Sequence, residues 1–125
     1  METISHECYV SLEVAKLLKE AGFDWSCRGY YDRQILRFNF VWEHNGKGAS
    51  TQCSAPTLDV AQKWFIEVKK MCITVFPVEN RFTFVIVKLG EKFNQYDYFL
   101  GYNTYEEAQE EGIKRALEMI LEKGQ

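Results

Sequence analysis

Histidine is nearly missing from this chain: 125 residues hold two, His6 and His44. Acyl transfer needs a nucleophile, a base placed beside it and a group that orients the base. Neither histidine stands in such a motif, and no catalytic centre is expected. Cysteine is sparse too, with four at positions 8, 27, 53 and 72 and no C-x-x-C pair. That spacing argues against a structural zinc site, which uses short pairs. A disulfide framework is characteristic of small secreted domains with weak cores, which does not describe this composition. Free thiols are the expectation. His6-Glu7-Cys8 together with Cys27 or Cys53 is a conceivable ligand set, and Cys72 reads as core. No apolar run approaches the ~20 residues of a membrane-spanning helix. The first seven residues lack the charged-then-apolar pattern of a secretion signal, so a cytosolic location without membrane contact is expected. An excess of basic charge is also lacking: the net charge is −3, which removes the global field that draws in nucleic acid or anionic lipid.

What is present suits one globular domain. Hydrophobic residues make up 46% and charged residues 26%, an ordinary balance for a chain able to bury its own core. Aromatics at 15% imply bulky packing or an adherent surface. Residues 11–22 alternate with helical period, with Val14, Leu17, Leu18 and Ala21 on one face. Ser11 suits the N-cap and Gly22 the left-handed position after the helix. Leu36, Phe38, Phe40 and Trp42 alternate with polar residues, which is strand periodicity, and Tyr30-Tyr31 suits a short partner strand. Residues 44–56, rich in Gly, Ser, Ala and Thr, read as a long loop.

A second helix is expected from Thr57, with Leu58, Val60, Ala61, Trp64, Phe65 and Val68 inward and Ile66 alone in the polar arc. Isolated exposed apolar residues are ordinary; otherwise Ile66 marks a partner contact. Strands follow at residues 72–76, 82–89 and 96–100. A last helix begins at Thr104, where Thr104-Tyr105-Glu106-Glu107 matches a capping box. Ala108, Gly112 and Ala116 form a small-residue seam suited to close contact with a sheet. The expected fold is a single two-layer α+β domain over residues 1–125, with an antiparallel sheet against helices in the order α-β(β)-α-β-β-β-α. Residues 1–56 supply a helix, strands and loop, and residues 57–123 an α-β-β-β-α unit.

Two resemblances add to this. SLEVAKLLKEAGFD at residues 11–24, Ala55-Pro56-Thr57 and GYNTYEEA at residues 101–108 resemble a set of small proteins carried by prophages and mobile elements of gut bacteria. The resemblance implies an accessory role in a bacterial cytosol and assigns no chemistry to any residue. From Thr57 onward, the order of elements is similar to that of double-stranded-RNA-binding domains. That family meets phosphates with lysines at the start of its last helix, where this chain has Glu106, Glu107, Gln109, Glu110 and Glu111. Residues 104–125 hold six acids and three bases, a net −3 equal to that of the whole chain, which would repel a phosphate backbone.

Chemistry is otherwise thin. The pairs Glu106-Glu107 and Glu110-Glu111 are adjacent on a helix and point ~100° apart, too divergent to converge on one reacting atom. Gly46-Lys47-Gly48 lacks the downstream signature of a phosphate loop. No cofactor motif is found. The expected function is non-catalytic and works through another protein, using Ile66 and the acidic face Glu106, Glu107, Glu110 and Glu111. The alternative is nucleic-acid binding by Arg28, Tyr30, Tyr31, Arg33 and Arg37, where bases interleave with aromatics as in stacking platforms, or by the face spanning residues 63–70.

Overall fold

The computed structural model describes residues 8–43, 52–90 and 95–123. Helix α1 spans Leu12–Glu20. Its start is fixed by Ser11, whose side chain accepts from the Val14 N–H at 3.2 Å. Its end is a Schellman motif: Phe23 N–H donates to Leu18 O at 2.9 Å and Gly22 N–H to Lys19 O at 3.2 Å. Gly22 has φ +97°, a backbone state that glycine adopts without steric cost.

Strands β1 (Cys27–Asp32), β2 (Ile35–Glu43) and β3 (Gln52–Ser54) form one antiparallel sheet in the order β2-β1-β3. The third strand falls inside the stretch expected to be a loop. Its three residues carry little strand propensity, so pairing holds it: Tyr30 faces Ser54, Tyr31 faces Cys53 and Asp32 faces Gln52. Lys19 Nζ adds a 2.7 Å bond to Gln52 O. Gly46-Lys47-Gly48, His6 and His44 lie outside the described residues.

Helix α2 runs Leu58–Trp64 under a Thr57 cap, then widens into a π-helical turn over Phe65–Lys69. The wider turn rotates every later side chain relative to an α-helical projection. Val68, expected inward, is therefore 47% exposed, and Val60 also reaches the surface. Ile66 is exposed as the period predicts.

Strands β4 (Met71–Val78), β5 (Arg81–Lys88) and β6 (Gln95–Tyr102) make a second antiparallel sheet, order β4-β5-β6. The α+β class and the expected order hold, with the strands divided between two sheets. Paired positions Ile73–Ile86 and Val75–Phe84 lie on the face covered by helix α3, Tyr105–Lys123. Cys72, expected in the core, alternates to the other face, half-buried with Sγ 3.6 Å from Thr74 Oγ1.

Helix α3 touches β4, β5 and β6 as well as α1 and α2. Its cap forms with a shifted return bond: Glu107 N–H donates to Thr104 Oγ1, and the Glu107 side chain reaches one residue past the cap to accept from Asn103 N–H, both at 3.1 Å. The small-residue seam is used in full at Gly112, where a Cβ would stand 2.8 Å from Ile73 Cγ2 and 3.2 Å from Phe84 Cγ. Gln109, 2% exposed, ties the helices together. Its Nε2 donates to Asp59 Oδ1 and Gln62 Oε1, each at 2.7 Å. Gln62 Nε2 in turn donates to Ile73 O at 2.7 Å. The fully buried side chains Trp64, Phe23, Phe65, Leu18, Ile86, Ile113, Leu117, Val10 and Val14 form the core.

Candidate functional site

The acidic face of α3 divides by role. Glu106 and Glu107 are exposed, with Glu107 engaged in the cap. Glu110 and Glu111 are half-buried. Glu110 Oε2 accepts from Ser11 N–H at 3.3 Å, which docks α3 on the first turn of α1. Burial pushes the Glu110 carboxyl above the usual carboxylate range; its hydrogen bonds to Ser11 oppose the rise, and Glu111 and Glu13 add to it. Beside it, Lys114 pairs with Glu13 at 3.1 Å. Of the expected acidic surface, Glu110 thus serves helix packing and Glu107 the helix cap, and Ile66 sits on a different helix.

The Arg/Tyr set is also split. Strand alternation places Arg28 and Tyr30 on the outer face of the first sheet, with Arg37 in register opposite Tyr30. Tyr31 points to the other face, its hydroxyl donating to Val10 O at 2.8 Å. Burial raises its pKa, helped by the charges of Glu110 and Cys53. Arg33 sits in the β1–β2 turn with φ +52°. The four cysteines are free. Cys8 is exposed, whereas Cys27 and Cys53 are buried in the first sheet. No group of three or more His, Cys, Asp or Glu among the described residues is placed to hold a metal ion.

The structure assembles two surfaces that linear patterns do not reveal. The first is a groove of about 420 Å³ between the first sheet and the start of α2, lined mainly by Tyr9, Cys27, Phe38, Ala55, Pro56 and Val60. Phe38 lies across from Gly29 in the β1–β2 register, and a Cβ on Gly29 would meet Ala55 O at 2.8 Å and the rings of Phe38 and Tyr9 at 3.3 Å. A glycine covered by a cross-strand aromatic is a known way to stabilise a sheet. It leaves Phe38 55% exposed, its ring edge-on to Tyr9 with centroids 5.1 Å apart. Burial pushes the Cys27 thiol up to about 11, so it remains protonated and is a poor nucleophile at neutral pH.

The second is a cleft of about 330 Å³ lined by Lys69, Lys70, Met71, Lys88, Leu89, Met119 and Ile120. Single residues of both surfaces carried a signal in the sequence, Arg28 for the first and the face at residues 63–70 for the second, but neither assembly was visible there because each gathers residues from at least three separate segments.

No protein-family model, no curated protein and no solved structure matches this chain. No described helix is long and apolar enough to cross a membrane.

Proposed function

We propose that this chain is a non-catalytic accessory protein, of the mobile-element kind its sequence resembles, that acts by binding another protein. The contact centres on the groove beside Phe38, which receives an apolar side chain of the partner. The observation that carries this reading is Phe38 itself, a large aromatic more than half exposed beside a solvent-open apolar groove. Contiguous exposed apolar surface of this kind marks interaction sites, and aromatic anchors dominate interface energetics. Among the groove's lining residues, the Cys27 thiol is held in its protonated form by burial.

Affinity capture with the natural chain and with Phe38→Asp tests the proposal. A protein retained by the natural chain and lost with the variant supports it. Identical retained sets, with the variant still folded by circular dichroism, refute it.

A second reading has one observation in its favour. Arg28, Tyr30 and Arg37 share the outer face of the first sheet, a small basic and aromatic platform suited to single-stranded nucleic acid. Asp32 alternates onto the same face and weakens it. Gel shifts at two salt concentrations decide: binding that falls steeply with salt supports this reading, and no shift at low salt removes it.

A further inference from the structure

We propose that the lysine-rimmed cleft at the end of α3 binds an acidic peptide segment of a partner protein, with an apolar side chain of that segment seated among Met71, Leu89, Met119 and Ile120. This site shares no lining residue with the Phe38 groove and stands independently of it.

The floor is apolar and already formed. Met71 and Met119 are buried, Ile120 is half-buried, and Leu89 forms a wall that is 45% exposed. Methionine side chains adapt to varied apolar partners, and they recur at peptide-binding surfaces for that reason. The rim is tied down by backbone. Leu89 N–H donates to Lys70 O at 2.8 Å, and Met71 pairs with Lys88 in the β4–β5 register. Lys70 has φ +58°, a left-handed state that strains a non-glycine residue. Glycine would relieve that strain but would also remove a charge from the rim. Lys69 has a structural role as well, its Nζ 5.5 Å from the centroid of the Trp64 ring.

Charge selects the occupant. Lys69, Lys70 and Lys88 gather on one cleft in a chain whose net charge is −3. Among the described residues, Glu67 faces Lys63 at 3.9 Å and Glu118 faces Arg115 at 3.3 Å. The glutamates at the start of α3 lie about 14 residues from Ile120, or roughly 20 Å along the helix at 1.5 Å per residue. That exceeds the ~8 Å screening length at physiological salt, so they do not cancel the local field. An extended polyanion spans the whole face and meets the chain's net negative charge, which disfavours an anionic membrane or a nucleic acid. A short acidic segment need reach only the rim formed by Lys69, Lys70 and Lys88. The Met, Leu and Ile lining also offers no ring for a base to stack upon.

Fluorescence anisotropy with a short labelled peptide alternating glutamate and leucine tests this, using the full chain at low and high salt. The expected result is saturable binding that weakens with salt. It should weaken by about tenfold or more in the Lys70→Glu/Lys88→Glu double variant and in Leu89→Ser, and stay unchanged in Phe38→Asp. Lys70→Gly keeps the left-handed backbone and removes one charge, so it secures a folded variant; a loss of roughly threefold is expected there. Replacing the peptide leucines with serine should abolish binding. The proposal fails if the peptide does not bind at low salt, or if the serine peptide binds equally well. It also fails if Lys70→Gly leaves affinity unchanged, or if phosphatidylserine vesicles bind where the peptide does not.

Discussion

Replacing Gly112 with alanine sets two known effects against each other at one atom. In an exposed helix the change would stabilise by about 1 kcal/mol through helix propensity. Here the new Cβ lands 2.8 Å from Ile73 Cγ2 and within 3.3 Å of two Phe84 ring atoms. Both neighbours are buried. Ile73 is β-branched and stiff at χ1, so it cannot swing clear, and either the helix retreats by several tenths of an ångström or the sheet does. Overpacking of this kind costs about 1–3 kcal/mol. The balance is a loss of about 1 kcal/mol, or roughly 4 °C in the thermal midpoint for a chain of this length. Urea denaturation followed by circular dichroism reads it. The sharper measurement is a double-mutant cycle with Ile73→Leu, which keeps the volume and removes the Cγ2 branch. Gly112→Ala should be better tolerated in that background, with a coupling of about 0.5 kcal/mol or more. Strict additivity, or a rise in stability from Gly112→Ala alone, would refute the close seating of α3 on the second sheet.

Glu110→Gln should stabilise the fold at neutral pH, because burial holds the Glu110 carboxyl above its ordinary pKa. The folded state binds this proton more tightly than the unfolded one, so the group's contribution is complete below the unfolded carboxylate pKa. It is lost as pH rises through the raised folded value. The amide keeps an acceptor for Ser11 N–H and escapes that loss. Denaturation midpoints measured between pH 3.5 and 7.5 should show the variant's advantage growing with pH, and an advantage that shrinks with pH would contradict the burial argument. In the β1–β2 turn, Arg33 and Gln34 both have positive φ, +52° and +74°, the pattern for which Asn-Gly is favoured. Arg33→Asn with Gln34→Gly should gain about 1 kcal/mol. Thermal melts would read a gain of a few degrees, and an unchanged or lower midpoint would count against a strained turn.

What could be read from the sequence was local. The Ser11 cap, the Gly22 terminus and the Thr104 cap depend on residues within one or two turns, and each forms locally, with the Glu107 return bond shifted to Asn103. The Ala108, Gly112, Ala116 spacing was legible for the same reason, since a single helical period records which face must be slender. The division of strands between two sheets was not legible, because it follows from which apolar faces meet far along the chain. Strand β3 was hidden for a related reason: Gln52, Cys53 and Ser54 are extended by their neighbour β1 and not by their own preference. The π-helical turn displaced Val68 because one wide turn resets a period that the wheel carries forward unchanged. The helical period treats the acidic residues of α3 as one surface, although Glu110 is drawn inward by the N-terminus of α1, from a segment 99 residues away. The groove at Phe38 and the lysine cleft exist only once several segments have met.

Because α3 is the element that covers the second sheet and also reaches α1 and α2, the timing of synthesis matters. It follows both sheets along the chain, so the apolar sides of Ile73, Phe84 and Ile86 stay open to water until residues 105–123 have been made. A nascent chain halted before that point would present a sticky, half-built sheet to chaperones. Folding should therefore close late and cooperatively, in one step that waits for the final helix.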